Sequence, residues 1–324
     1  MSLQKPARLR RTATLRNLVR ETRLSIDDLI RPIFVTHRNK TLAIKSMPGQ
    51  FHFPLDAIEK TVEESMKLGI SGIILFGIPD TKDETGTDTV NENGIIQQAV
   101  RKILNSFPDL IIITDACFCQ YTTHGHCGIL NENGNIDRKS SLKQLQEQAI
   151  SHVIAGADFV APSCMIDKMV QYIREALDKN GYEDRGILSY AIKYASAFYG
   201  PFRDAVDSAP QKGDRKSYQL DPGNIREALK EAQMDEDEGA DIIMVKPALP
   251  YLDVIREVKK QVSCPVAAYQ VSGEYAMIKA AAQNSWIDGN KSMMESLLGI
   301  KRAGADIIIT YFADATARLI VGKL

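Results

Sequence analysis

A chain of 324 residues with 44% hydrophobic and 25% charged side chains has an ordinary globular composition. Its 40 Lys and Arg nearly cancel 41 Asp and Glu, and the formal net charge of -1 gives no field that would draw it to nucleic acid or an anionic membrane. No apolar run approaches the ~20 residues that a bilayer-spanning helix needs. The five cysteines are an odd number with three inside residues 117–127, which fits a reducing compartment, the cytoplasm, and a metal site rather than a disulfide framework.

Residues 1–23 carry Lys5, Arg8, Arg10, Arg11, Arg16, Arg20 and Arg23 against Glu21 alone. Such a start reads as an organellar transit peptide or as a basic arm lying on a neighbouring subunit. Leu9, Leu15, Leu18 and Val19 would anchor an arm, and residues 1–29 are expected to form one.

Beyond it, short runs apolar on both faces recur at 30–35, 72–76, 110–115, 158–162, 187–193, 241–246, 265–270 and 306–311. Parallel strands covered by helices have this pattern. Helical patterns fall between them, at 55–68, 142–155, 168–180, 225–233, 252–262, 275–283 and 293–303. Three junctions, at 155–163, 238–246 and 303–311, repeat Gly-Ala-Asp before an apolar run that ends in a polar or reactive residue. The Gly permits a left-handed turn after a helix, and the Asp opens a strand.

Eight alternating units predict a (β/α)8 TIM barrel over 30–324, with an extended N-terminal arm over 1–29. A doubly wound open sheet would need a Gly-rich phosphate turn after an early strand, and Phe76-Gly-Ile-Pro-Asp does not supply one. The connections 77–94 and 194–223 are long enough to be functional loops over the C-terminal face, where barrel chemistry takes place.

Asp115 closes the third strand and leads into Cys117, Cys119, His124, His126 and Cys127. Thiolates are soft ligands for zinc, and three protein ligands leave the open position of a catalytic site. Cys164 and Cys264 have no such neighbours in sequence and are expected in the core. Lys193 and Lys246 each end an apolar strand. Desolvation and a second ammonium nearby both lower the pKa of an amine, and a neutral amine can form a Schiff base with a ketone. Arg203 and Arg215, in the long loop after Lys193, have the fork suited to a carboxylate, and Phe202 could exclude water. Ser163, Tyr269, Ser272 and Tyr311 fall at or just past strand ends, where hydroxyls could orient a carboxylate or relay protons. The acidic run 235–238 reads as a solvated helix end, and Glu231, one turn earlier, could ligate a hard cation such as Mg2+.

Asp-x-Cys-x-Cys with His-Gly-His-Cys-Gly, Tyr-Gly-Pro-Phe-Arg after Lys193, Met-Val-Lys246-Pro and Tyr-Gln-Val-Ser-Gly-Glu at 269–274 together resemble the porphobilinogen synthase (5-aminolevulinate dehydratase) family, in its zinc-using bacterial-type branch. The resemblance runs from the Arg-rich arm to Thr-Tyr-Phe at 310–312. It implies that Lys246 is the better established imine-forming lysine, with Lys193 as its partner, and that Cys117, Cys119 and Cys127 ligate zinc. It implies that Arg203, Arg215 and Gln219 close over the second substrate while Ser272 and Tyr311 grip the first one's carboxylate. It implies an allosteric magnesium at Glu231 and an arm that wraps a neighbouring barrel in a homo-octamer. The expected reaction is condensation of two 5-aminolevulinate molecules to porphobilinogen with loss of two waters, on the way to haem, with Asp115 and Ser163 as proton relays. The rivals are a Schiff-base aldolase with a structural zinc, which needs one reactive lysine, and a non-catalytic zinc-binding barrel, which needs none.

Overall fold

The computed structural model describes residues 5–211 and 213–322. The N-terminal segment holds a turn of 3-10 helix at Pro6–Arg10 and the short helix α1 (Ala13–Leu18), which Thr12 caps by accepting the Leu15 N–H. The chain then enters β1 (Leu29–Thr36), a small hairpin of β2 (Leu42–Ala43) and β3 (Phe51–Pro54), and α2 (Leu55–Met66). Regular alternation follows with β4 (Gly72–Ile78), α3 (Ile95–Ser106), β5 (Ile111–Ala116), α4 (Arg138–Ile154), β6 (Phe159–Pro162) and α5 (Met169–Lys179). The second half comprises β7 (Gly186–Lys193), α6 (Gly200–Ala205), α7 (Arg226–Asp237), β8 (Ile242–Lys246), α8 (Leu252–Gln261) and β9 (Val266–Gln270). It ends with α9 (Ser272–Gln283), α10 (Gly289–Ala303), β10 (Ile307–Thr310) and α11 (Ala313–Ile320).

Eight of these strands pair in parallel in the order β1-β4-β5-β6-β7-β8-β9-β10, and β10 pairs back to β1. The expected (β/α)8 barrel is therefore the fold, with every expected strand within a residue or two of its place. The hairpin is an addition the apolar pattern did not reveal. β3 runs parallel to the upper half of β1, and His52 Nε2 meets the Ala205 carbonyl at 2.6 Å, so the hairpin props the end of α6. Among the described residues no helix is long and apolar enough to cross a membrane.

The Gly-Ala-Asp echo has one structural meaning in all three places. Gly156, Gly239 and Gly304 take φ of +111°, +100° and +129°, a region that Cβ-bearing residues avoid. The following Asp then clasps the preceding strand. The carboxylates of Asp158, Asp241 and Asp306 accept the N–H of Ile112, Ile187 and Val266 at 2.8, 2.7 and 2.7 Å. Their own N–H groups donate to the carbonyls of the same residues at 3.0, 3.0 and 2.8 Å. These clasps lie at the N-terminal end of the barrel, the end that serves stability rather than chemistry.

Asp241→Ala removes one such charge-assisted bond. It should lower unfolding free energy by about 1–2 kcal/mol, read from the urea midpoint, and leave turnover per folded molecule unchanged.

Candidate active site

The barrel's parallel strands deliver their last side chains to one mouth, and β7 and β8 bring Lys193 and Lys246 there in register. Both are buried, at 5% and 6% exposure. Lys246 Nζ lies in a cage of rings, 4.5 Å from the centroid of Tyr269, 4.8 Å from Tyr190, 5.2 Å from Phe202 and 5.5 Å from Tyr199. Desolvated rings attract an ammonium by about 2 kcal/mol. Burial outweighs them and, with the charge of Lys193, pulls Lys246 from 10.5 down to about 7. That drop amounts to about 5 kcal/mol against the charged form. Lys193 goes the other way. Burial pulls it down, but the thiols of Cys127, Cys117 and Cys119 hold it above its ordinary value. Its Nζ donates to the Ser163 carbonyl at 2.5 Å. Two amines in one mouth are thus driven apart, Lys246 down and Lys193 up.

Asp115, next to last in β5, lies close to both. Burial pushes its carboxyl up, against the two lysine charges and hydrogen bonds from Ser163 and Gln120, whose Nε2 lies 3.4 Å away. Both lysines, Asp115, Ser163, Cys119, Phe202, Arg203 and Arg215 line one cavity of about 20 Å³, room for a single water. The site is shut.

What shuts it is the segment after β7. Phe202 N–H donates to Ser272 Oγ at 2.9 Å, Ser46 to Asp204 at 2.5 Å, and Lys82 pairs with Asp207 at 3.0 Å. Arg215 Nη2 donates to the carbonyls of Gly125 (2.8 Å) and Ser208 (2.6 Å), tying this lid to the cysteine loop. The Nε atoms of Arg203 and Arg215, two residues that line this cavity, are buried without partners.

The sulfurs of Cys117, Cys119 and Cys127 are buried and lie within 4.8 Å of one another, the first two 3.5 Å apart. Tetrahedral zinc at ~2.3 Å from each sulfur would set them about 3.8 Å apart. Thiol hydrogen bonds from Cys117 and Cys119 pull Cys127 well below its ordinary pKa, the direction that favours metal ligation. The three soft donors fit zinc. His124 and His126 stay outside the triplet: His124 Nε2 meets the Glu84 carbonyl at 3.0 Å, and His126 Nδ1 meets the Tyr218 hydroxyl at 3.1 Å.

The remaining expected residues are spread over two places. The Tyr269 hydroxyl donates to Tyr311 at 3.0 Å beside Lys246, and Ser272 holds the lid. Gln219 is buried with its amide unpaired, but it borders a different cavity of about 150 Å³, together with Glu231, Glu227 and Asp235. One expectation fails. Asp235 is no solvated helix end: it is buried on α7, accepts from Ser189 of β7, and burial pushes it up to about 7. Cys164 is in the core as expected, its Sγ donating to the Ala116 carbonyl at 3.7 Å with Cys117 nearby, whereas Cys264 is half-buried at the core's edge. Tyr190, Tyr199 and Gln120 escaped notice in the sequence. Tyr190 stands three residues before Lys193, a spacing that puts side chains on opposite faces of a regular strand. An irregularity in β7 between Ser189 and Ile192 brings both to the mouth.

Fold and site together define an α/β-barrel enzyme in which two buried strand-end lysines open on one cavity beside three clustered thiols that could hold a metal. Residues 3–319 match the family model described as delta-aminolevulinic acid dehydratase. A relative of that name from Halalkalibacterium halodurans is 53% identical over 319 residues, covering 98% of this chain and 97% of its own. One from Bacillus subtilis is 50% identical over 318 residues, covering 98% of each. The crystal structure of delta-aminolevulinic acid dehydratase (porphobilinogen synthase) from Toxoplasma gondii, in complex with the product porphobilinogen, superposes with a TM-score of 0.98 at 41% identity, over 100% of this chain and 93% of that one. The chain belongs to the delta-aminolevulinic acid dehydratase family.

Arg215→Ala should free the lid from the cysteine loop. Backbone amides of 203–208 are then expected to exchange with deuterium faster than in the unaltered protein, while those of the barrel strands keep their protection.

Proposed function

We propose that this chain condenses two molecules of 5-aminolevulinate into porphobilinogen with release of two waters, each substrate held through its ketone carbon as an imine, one on Lys246 and one on Lys193. The observation that carries this reading is the pair of buried strand-end lysines opening on one cavity, with Lys246 tuned to about 7. The family and the product-bound relative support the choice of substrate and product.

The neutral Nζ of Lys246 attacks the ketone carbon, the C–N bond forms, and the ketone oxygen leaves as water. Proton loss from the carbon next to the imine gives an enamine, the nucleophile for the second molecule. Asp115, raised by burial and bonded to Ser163, moves protons between these centres. Ser272 and Tyr311 hold the first carboxylate, with the Tyr269 hydroxyl orienting Tyr311. Arg203, Arg215 and Gln219 receive the second, and Phe202 keeps water out. Holding two flexible molecules under a closed lid supplies much of the rate by orientation.

Cys117, Cys119 and Cys127 would hold the zinc, which when bound supplies a Lewis acid with an open fourth position. Glu231 would take a hydrated magnesium outside the active site, as that ion needs only one or two carboxylates. Burial, Asp167 and Glu227 push Glu231 up, a strain that a cation relieves. Residues 1–29, of which 1–4 lie outside the described residues, would form the oligomer arm: Leu18 is 76% exposed and Leu9 and Val19 are exposed, apolar surface suited to a neighbouring barrel in a homo-octamer. The protein works in the cytoplasm, where thiols stay reduced.

Borohydride reduction with 5-aminolevulinate, followed by peptide mapping, tests the reading. The unaltered protein should carry adducts on both lysines. Lys246→Arg, which keeps charge but cannot form an imine, should fold, bind zinc and lose nearly all turnover. Lys193→Arg should turn over poorly yet still be trapped at Lys246. Metal-stripped protein should stay folded and make no porphobilinogen. An active Lys246→Arg with its adduct on Lys193 would reverse the assignment, and a single reactive lysine would favour an aldolase.

A further inference from the structure

Glu274 has 0% exposure, and no step above uses it. It stands in the first turn of α9, and its carboxylate is spent on backbone. Oε1 accepts the Leu249 N–H at 2.7 Å, and Oε2 accepts those of Val271 at 2.6 Å and Ala248 at 3.3 Å. The Val271 bond is a local helix cap. The other two leave the helix and reach into the turn that follows Lys246. Burial pushes the carboxyl up to about 7 against these three donors and the charge of Lys246. A buried acid without an ion-pair partner is costly to keep, so the geometry it fixes has to matter.

That geometry is the end of β8. The Lys246 carbonyl is held from the lid side, by Tyr194 N–H at 3.0 Å and the Tyr199 hydroxyl at 3.1 Å. Glu274 holds residues 248 and 249 from the α9 side, so the lysine's strand end is pinned on both flanks. The same helix start is the lid's landing surface. A Cβ on Gly273 would come within 2.5 Å of the Phe198 carbonyl oxygen, so only glycine allows this approach. Lys193 is framed without Glu274: its Nζ rests on Ser163, and its carbonyl accepts Leu220 N–H at 3.1 Å.

We infer that Glu274 is a positioning residue for Lys246, fixing the strand end so that this amine, and not Lys193, meets its ketone correctly. The inference rests on the reading of both lysines as imine-forming.

The test is the ratio of borohydride-trapped 5-aminolevulinate on Lys246 to that on Lys193, measured by peptide mapping. Glu274→Gln keeps the size of the side chain but offers one acceptor oxygen and turns amide hydrogens toward backbone donors. It should lower the ratio tenfold or more, and Glu274→Asp, which keeps the charge, should recover part of the loss. General loosening of the barrel would depress both adducts alike, and an unchanged ratio overturns the inference. If Glu274→Gln yields no folded protein by circular dichroism, Glu274→Asp carries the test: a lowered ratio supports positioning and an unchanged one overturns it. Absence of either adduct from the unaltered protein sinks the imine reading, and this inference with it.

Discussion

Keeping water away from the amine of Lys246 is the constraint on which the rest of the site depends. A closed eight-stranded barrel must fill its interior with side chains, and toward the mouth this one uses rings. Phe34 stacks on Tyr311 at 5.9 Å and packs against Phe76 at 5.6 Å, while Tyr269 lies 6.4 Å from Phe76 and 6.5 Å from Tyr190. The result is an apolar floor with hydroxyls at its upper edge. Phe202 of α6 covers it from above, 5.9 Å from Phe34 and 5.3 Å from Phe76. An ammonium between floor and lid gains cation–π attraction but loses more in hydration, so the amine gives up its proton at about 7 rather than 10.5.

Charge is sorted across the mouth by what each group faces. Lys193 lies toward the thiols and stays charged, whereas Lys246 lies toward the rings and does not. Asp115 is close to both, its carboxyl pushed up by burial and drawn back by the two lysine charges. The lid completes the separation, because the cavity it leaves has room for a single water. The contacts of Phe202, Asp204 and Arg215 are what hold the lid down over it.

Much of this was legible in the residues. Parallel strands buried on both faces write continuous apolar runs, and the repeated Gly-Ala-Asp marks a turn and a clasp that recur for the same physical reason three times. Lysines at strand ends and thiols at loop spacing are local signals too. What stayed hidden depends on contacts between distant segments or on departures from regular geometry. Tyr190 reaches the mouth through an irregular strand. Cys164 meets Cys117 only because β6 lies beside β5. Asp235 is buried because α7 packs its face on Ser189, which an acidic run does not announce. Gln219, assigned by resemblance to the substrate, borders the Glu231 cavity in this closed state.

The most direct test of the central claim is the protonation of Lys246 itself. Carbon-13 NMR of the lysine Cε resonances, with Lys246→Arg assigning the signal, follows it through a pH titration of the intact metal-bound protein. Because burial depresses the pKa of a base, the amine is neutral above its midpoint and charged below it. The account predicts a midpoint at about 7, against 10.5 for a solvated lysine. A Lys246 signal that titrates near 10.5 would contradict it, since the floor of rings would then not be excluding water from the amine.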